Sequence, residues 1–184
     1  MNRGTISSTQ IALDRDIFLR TLIRELAGVL EDVVGYEEAA GYVSLVGQSM
    51  GEWLNDLYRK ELGTSTLTRA QVGEVLVDLK KRIEGDFSLA SQNDEKIVLD
   101  NNACPFAEKV RDRPSMCMMT SNVFGVIAAE NLGYAKVVLE KTIAQGADRC
   151  RVVVYLKPSA EADAAMGREY FSKQVSDDDQ PGNS

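Results

Sequence analysis

The residues of this sequence best suited to chemistry are its three cysteines, Cys104, Cys117 and Cys150. The chain has 184 residues and contains no histidine. The lack of histidine excludes Ser-His-Asp and Cys-His catalysis, a phosphohistidine relay, and zinc or haem sites that need an imidazole ligand. An odd number of cysteines, in a chain whose first ten residues lack an apolar signal core, argues against a disulfide framework. The thiols are therefore either inert and buried or part of one site.

The sequence around each cysteine favours a shared site. Cys104 lies in the loop sequence NNACPF, Cys117 follows Pro114 near the start of a predicted helix, and Cys150 begins a predicted strand. At a helix start the dipole favours a thiolate. Three thiolates with a fourth ligand would hold zinc or an iron–sulfur cluster, with the sulfurs within about 4 Å of one another. The nearest candidates for the fourth ligand are Asp100, Asn101, Asn102 and Glu108.

A thiol-dependent enzyme is the alternative function. Without histidine, the base beside a thiol would have to be Asp, Glu, Lys or Tyr. Tyr134 and Lys136 are available, but their surroundings are typical of a strand. Gly41, Gly47 and Gly51 match neither a GxGxxG sequence nor a phosphate-binding loop. The sequence therefore predicts a non-enzymatic protein.

The elements that must position these cysteines begin with three helices. Apolar residues spaced by three and four predict helices over residues 14–34 and 37–62. A third helix begins at Thr68, where Gln71 completes a capping box, and ends near residue 83. The three glycines named above lie inside the second helix. They permit either the close approach of another backbone, or a ligand or subunit contact.

Strand-like segments follow the helices. Alternating and β-branched residues predict two hairpins, with a helix over about residues 116–131 between them. The hairpins are formed by residues 86–89 with 96–99 and by residues 134–142 with 150–156. Segregated helices and strands predict an α+β fold, with the N-terminal helices packed on an antiparallel sheet of two hairpins with an intervening helix.

The composition predicts one domain with polar ends. Residues 14–157 form the domain, and residues 1–13 are predicted to be disordered. Residues 158–184 are predicted to contain a weak helix over 159–171 and a disordered acidic tail.

The charge and hydropathy of the chain exclude two classes of partner. The net charge of −7 argues against direct nucleic-acid binding, because phosphate contacts need clustered Lys and Arg. We interpret the short basic run at residues 80–82 as a solvated helix end, where cations suit the dipole. The sequence has no stretch of about 18 apolar residues, so no membrane span is predicted. A cytoplasmic location is expected.

Three segments together resemble a known family. The sequence NNACPF, the sequence RPSMCMMTSNVFGVIAAENLGYAKV and the sequence IAQGADRCRVVVYL are similar to the methanogen output domain 1 family, within the 4-vinyl-reductase-like ligand-sensing domains. The resemblance extends over residues 14–157. The sequence also resembles the sensory part of iron–sulfur-responsive regulators. Those regulators carry four cysteines, where this chain has three.

The resemblance implies a sensory or output module of prokaryotic signalling that acts through a protein partner, such as a kinase or a transcription regulator. The signal would be a small ligand, a metal or a redox state read at Cys104, Cys117 and Cys150. A purely scaffolding homodimer is the remaining alternative.

A homodimer is also expected from the residues themselves. The helices over residues 16–34 and 37–62 carry more apolar positions than one buried stripe requires, and isologous pairing of such helices is a common route to a dimer. We therefore predict a dimer built on the N-terminal helices.

Overall fold

The computed structural model describes residues 11–173, and the predicted disorder of residues 1–10 and of the acidic tail after residue 173 lies outside this range. The α-helices within residues 11–173 are α1 (Arg15–Val34), α2 (Tyr36–Leu62), α3 (Arg69–Lys81), α4 (Cys117–Leu132) and α5 (Ala160–Ala164). Helix α1 begins after Asp14, whose carboxylate accepts a hydrogen bond from the Ile17 amide. The predicted capping box of Thr68 and Gln71 opens α3.

The strands form one antiparallel sheet. They are β1 (Phe87–Gln92), β2 (Lys96–Asn101), β3 (Tyr134–Lys141), β4 (Cys150–Tyr155) and β5 (Arg168–Phe171). Their order across the sheet is β1-β2-β4-β3-β5, and every neighbouring pair is antiparallel. The α+β prediction is therefore confirmed, and both predicted hairpins are present. They meet at the β2–β4 pairing, where Asn101 lies opposite Cys150.

The main core lies between the sheet and helices α3 and α4. Alternate strand residues face these helices, as Leu99 and Val152 do, while Val98 and Val153 face the other side, where α5 packs. Helix α4 is buried along most of its length, because α2 covers the side that faces away from the sheet.

The prediction of a weak helix over residues 159–171 is wrong after Ala164, where α5 ends. Residues 168–171 form strand β5 on the edge of β3. The Tyr170 side chain points inward, and its hydroxyl shares a 3.0 Å hydrogen bond with Ser121 of α4. Gly125 makes this packing possible, since a Cβ there would lie 2.1 Å from the Tyr170 ring. Burial of this ring outweighs the helix propensity of the alanines before it.

The glycines of α2 have different roles. A Cβ at Gly47 would lie 2.8 Å from the Asn122 side chain, and one at Gly51 would lie 2.9 Å from Val126, so both glycines let α2 approach α4 closely. Of the two interpretations, the close approach of a backbone is confirmed at these positions. Gly41 faces open space, with nothing within 4 Å of a Cβ there.

The apolar stripe of α1 faces away from the rest of the chain. Phe18, Leu26, Val29 and Val33 are 56–75% exposed. The inward face is instead formed by small and polar residues at positions 24, 27, 28 and 31. Among the helices described within residues 11–173, none has the length and apolar character needed to cross a membrane.

Candidate functional site

The three cysteines line one small cavity. It has a volume of about 30 Å³ and lies between the sheet, the start of α4 and the loop over residues 102–116. The other lining side chains are mainly apolar, and they are Phe87, Asn101, Pro105, Phe106, Val110, Met116, Thr120, Leu139, Thr142 and Val152. The structure thus places Cys104, Cys117 and Cys150 in the lining of one cavity, while the predicted spacing of about 4 Å between their sulfurs stays a prediction.

A different element positions each thiol. Cys104 follows β2 in the loop, Cys117 is the first residue of α4, and Cys150 is the first residue of β4. The Ile143 amide donates a 3.4 Å hydrogen bond to the Cys150 sulfur. All three side chains are partly buried free thiols, packed against a small cluster that includes Met116.

Burial dominates the electrostatics of two thiols. It raises the pKa of Cys117 to about 12, and it also raises the pKa of Cys104 above its ordinary value. The expectation that the helix start favours a thiolate at Cys117 is therefore wrong, because loss of hydration outweighs the dipole at this depth. At neutral pH these two side chains are neutral S–H groups.

The metal site stays a prediction. Among residues 11–173, no three Cys, Asp or Glu side chains are grouped closely enough to hold a metal ion as the chain stands. Of the proposed fourth ligands, Asn101 lines the cavity and is 1% exposed. Asp100 instead binds Arg151 through both carboxylate oxygens, at 2.9 and 3.2 Å.

The two other proposed ligands also lie outside this cavity lining. The Asn102 amide donates a 3.1 Å hydrogen bond to Asp86. Glu108 is exposed and faces a second, wider cavity of about 310 Å³ on the outer side of the loop. Cys104 and Pro105 border both cavities and so form part of the wall between them.

Lys80 is a site residue that the sequence analysis missed. It is 4% exposed, so interpreting it as part of a solvated helix end is wrong. Its Nζ donates a 2.8 Å hydrogen bond to Thr120 Oγ1 and lies 5.5 and 5.3 Å from the ring centroids of Phe87 and Phe124. Lys80 lies four residues after Leu76, on the buried face of α3, and this spacing is the signal that would have identified it.

The charge of Lys80 is poorly compensated. No carboxylate within residues 11–173 forms a salt bridge with it. Burying an unpaired ammonium costs several kcal/mol. The two rings lie close to the limit of about 6 Å for cation–π attraction, so they offset only part of that cost. Burial accordingly lowers the pKa of Lys80 to about 8.

Helix α1 fastens the loop that closes the cavity. Arg24 donates hydrogen bonds of 2.6 and 2.7 Å to the carbonyl oxygens of Lys109 and Arg111. About two helical turns further on, Glu31 accepts a hydrogen bond from Ser115. The inward face of α1 therefore holds the cavity loop, while its apolar face remains exposed.

Comparisons with known proteins agree with this fold. The model of the methanogen output domain 1 family matches residues 22–155. Subunit 3 of the trafficking protein particle complex from Naegleria fowleri, covalently bound to palmitic acid, aligns with 77% of this chain and 96% of its own, at 14% identity and a TM-score of 0.52. No curated protein sequence matches.

A second solved structure is similar over more of the chain. It is the phenol-responsive sensory domain of the transcription activator PoxR with phenol. The alignment covers 88% of each chain at 13% identity, with a TM-score of 0.56. At these identities the likeness of both structures concerns the fold.

Proposed function

The chain belongs to the methanogen output domain 1 family, and from this premise we propose that it is a non-enzymatic sensory domain that binds a small ligand in its cysteine-lined cavity. One observation carries the proposal. Three thiols from separate segments, with a buried lysine beside them, surround a cavity at the centre of an otherwise apolar cluster. Such convergent polar groups in an apolar cavity are typical of ligand sites.

The size of the cavity favours a ligand smaller than phenol, which the PoxR sensory domain binds. An apolar protein cavity of about 150 Å³ holds benzene. The cavity of this chain, at about 30 Å³, has a fifth of that volume. It suits about two water molecules or one large atom.

The lining of the cavity supports a binding role over catalysis. Among the described residues that line it, none is Asp, Glu, Tyr or Lys, so no base touches a thiol there. Tyr134, one of the bases considered from the sequence, donates its hydroxyl proton to Glu169 of β5 instead. Neutral thiols with raised pKa values are also weak nucleophiles.

The second candidate function is sensing of a metal ion or a redox state by the same thiols. It is supported by the convergence of Cys104, Cys117 and Cys150 on one cavity. A single zinc ion suits the volume better than an iron–sulfur cluster does. Three protons would have to leave the thiols, and the loop would have to draw the sulfurs together.

We propose that the signal leaves through the exposed face of α1 and α2. Large apolar side chains on this face follow helical spacing, and they are Phe18, Leu19, Leu22, Leu26, Val29, Val33, Tyr42, Leu45, Val46, Met50, Trp53 and Leu57. Exposed apolar patches on monomers rarely exceed a few hundred Å². A second copy of the chain would cover this face as a homodimer, and a kinase or transcription regulator would read its state.

A hydrogen-exchange experiment tests the ligand cavity. The anaerobically purified protein is exposed to xenon, as a small apolar occupant, and separately to Zn²⁺. We expect an occupant to slow amide exchange over residues 102–116 and alkylation of the three cysteines by N-ethylmaleimide. Unchanged exchange and alkylation with both occupants would contradict a ligand-binding role for the cavity.

Two matched variants show where the occupant binds. Val152→Ile adds one methyl group to the cavity wall, while Val153→Ile adds the same group on the opposite face of the sheet. The first variant should lose the response to xenon, and the second should keep it. An equal response in both would place the occupant elsewhere.

A further inference from the structure

The buried ammonium of Lys80 lies directly behind the cavity wall. Its hydrogen-bond partner Thr120 and the neighbouring Phe87 both line the cavity. An ammonium has three protons, and within residues 11–173 only the Thr120 hydroxyl oxygen accepts one. The hydroxyl of Thr120 keeps its own proton, which is free to point at a ligand. Positive charge and a free donor thus meet on one side of an otherwise apolar space.

We propose that the cavity binds one small, weakly hydrated monoanion, of the size of hydrosulfide or a heavy halide, with Lys80 as its counter-cation. The proposal rests on the proposed function, since it specifies the ligand class of the same cavity. A buried charge is normally paired, and the described part of the chain supplies no carboxylate to pair with Lys80. The ligand would supply the missing negative charge.

The rest of the wall selects among anions. The thiols of Cys104 and Cys117 are neutral and could donate hydrogen bonds to an anion. The sulfur and aromatic groups that line the cavity are polarisable. A soft, weakly hydrated anion loses less hydration on entering such a space than a small hard one does. The volume of about 30 Å³ excludes carboxylic acids with a carbon chain and aromatic anions.

The wider outer cavity provides a route of entry. Arg20 and Arg111 line it together with Glu84, Glu108 and Asp148, so its charged side chains are mixed. Cys104 and Pro105 separate it from the inner cavity. Displacement of the loop at Cys104 and Pro105 would open the inner cavity to a ligand entering from the outer one. The same loop is fastened to α1 by Arg24, so entry of the anion is linked to the helix that carries the exposed face.

Iodide and xenon are the probes that test the proposal. They have the same number of electrons and similar size, but only iodide carries a charge. Binding is followed by the chemical shifts of the amides that line the cavity, in a reducing buffer, for the wild type and for Lys80→Met. Lys80→Gln, which keeps a polar end without the charge, serves as the second variant.

We expect the wild type to bind iodide at least about tenfold more tightly than Lys80→Met or Lys80→Gln does. Xenon affinity should change by less than about threefold in the same variants. Hydrosulfide should compete with iodide in the wild type. Lys80→Met should fold, because replacing an unpaired buried charge with an apolar group of similar length is neutral or stabilising.

The outcomes separate this proposal from the one on which it rests. Xenon binding without iodide binding would overturn the anion assignment and leave a cavity for neutral ligands. Equal iodide affinity in all three proteins would also overturn it, because the effect would then be a general salt effect. No binding of either probe would overturn the anion assignment, and the hydrogen-exchange experiment with Zn²⁺ would then decide the proposed function.

Discussion

At the scale of single residues, burial decides the chemistry of this site. Cys117 begins a helix and Lys80 lies near the end of one, and both positions ordinarily stabilise the charged form of these side chains. Both side chains are instead shifted toward their neutral forms, because loss of hydration is the largest contribution to each pKa. The position of a residue at a helix terminus therefore does not predict the charge of its side chain when that side chain is buried in the core.

The pH dependence of stability follows from the pKa of Lys80, about 8 in the folded protein. The unfolded chain keeps its proton up to about pH 10.4, so between these values it binds more protons and stability rises with pH. Relative to Lys80→Met, the wild type should gain roughly 3 kcal/mol in free energy of unfolding between pH 7 and 10.5. Urea unfolding of both proteins at each pH measures this difference. A difference that is independent of pH would show that Lys80 is paired.

At the scale of elements, one helix joins the cavity loop to the exposed face. Helix α1 holds the loop through Arg24 and Glu31 and exposes its apolar side chains on the other face. An amphipathic helix normally buries its apolar stripe against its own domain. The reversed orientation is the basis for our proposal that another surface covers this stripe.

The glycines of α2 provide a prediction at the same scale. Gly47→Ala should destabilise the protein, because the new Cβ meets the backbone of α4 at Met119, 3.2 Å away. We expect a loss of about 1–3 kcal/mol in the free energy of unfolding. Gly41→Ala is the matched control, with open space around it, and should stabilise the helix by roughly 0.5–1 kcal/mol. Denaturant unfolding of both variants tests this, and a loss of stability in Gly41→Ala would mean that Gly41 is covered by another chain.

At the scale of the whole molecule, the exposed face predicts self-association. A standard interface buries about 800 Å² on each partner. Twelve large apolar side chains on α1 and α2, each exposed by 37–75%, provide a surface of that order. The isologous pairing of two such faces would link both cavity loops to one interface through α1, which lies between the loop and the apolar face.

Light scattering at tens of micromolar tests the homodimer. The wild type should have the mass of two chains, and Leu26→Glu, which places a charge on the exposed face, should have the mass of one. Met166→Glu is the control, since Met166 is 94% exposed but lies beyond α5, away from these helices. A monomeric wild type, or dissociation of the control as well, would contradict a dimer built on α1 and α2.

The sequence alone predicted most elements and the family. Helical spacing, the capping box at Thr68 and the two hairpins depend on local propensities, and local interactions within a few residues determine them. The cysteine motifs indicated the family, because a motif carries information about the fold around it, and Cys104, Cys117 and Cys150 line one cavity.

Only the tertiary structure decided what surrounds each of these residues. Three features depend on contacts between residues far apart in the chain. They are the pairing of β5 with β3, the burial of Lys80 beside Thr120 and the outward apolar stripe of α1. Helical spacing shows that one face is apolar but not whether the protein's own core or another chain covers it. A pKa likewise depends on the hydration that remains after packing, and packing is a property of the whole fold.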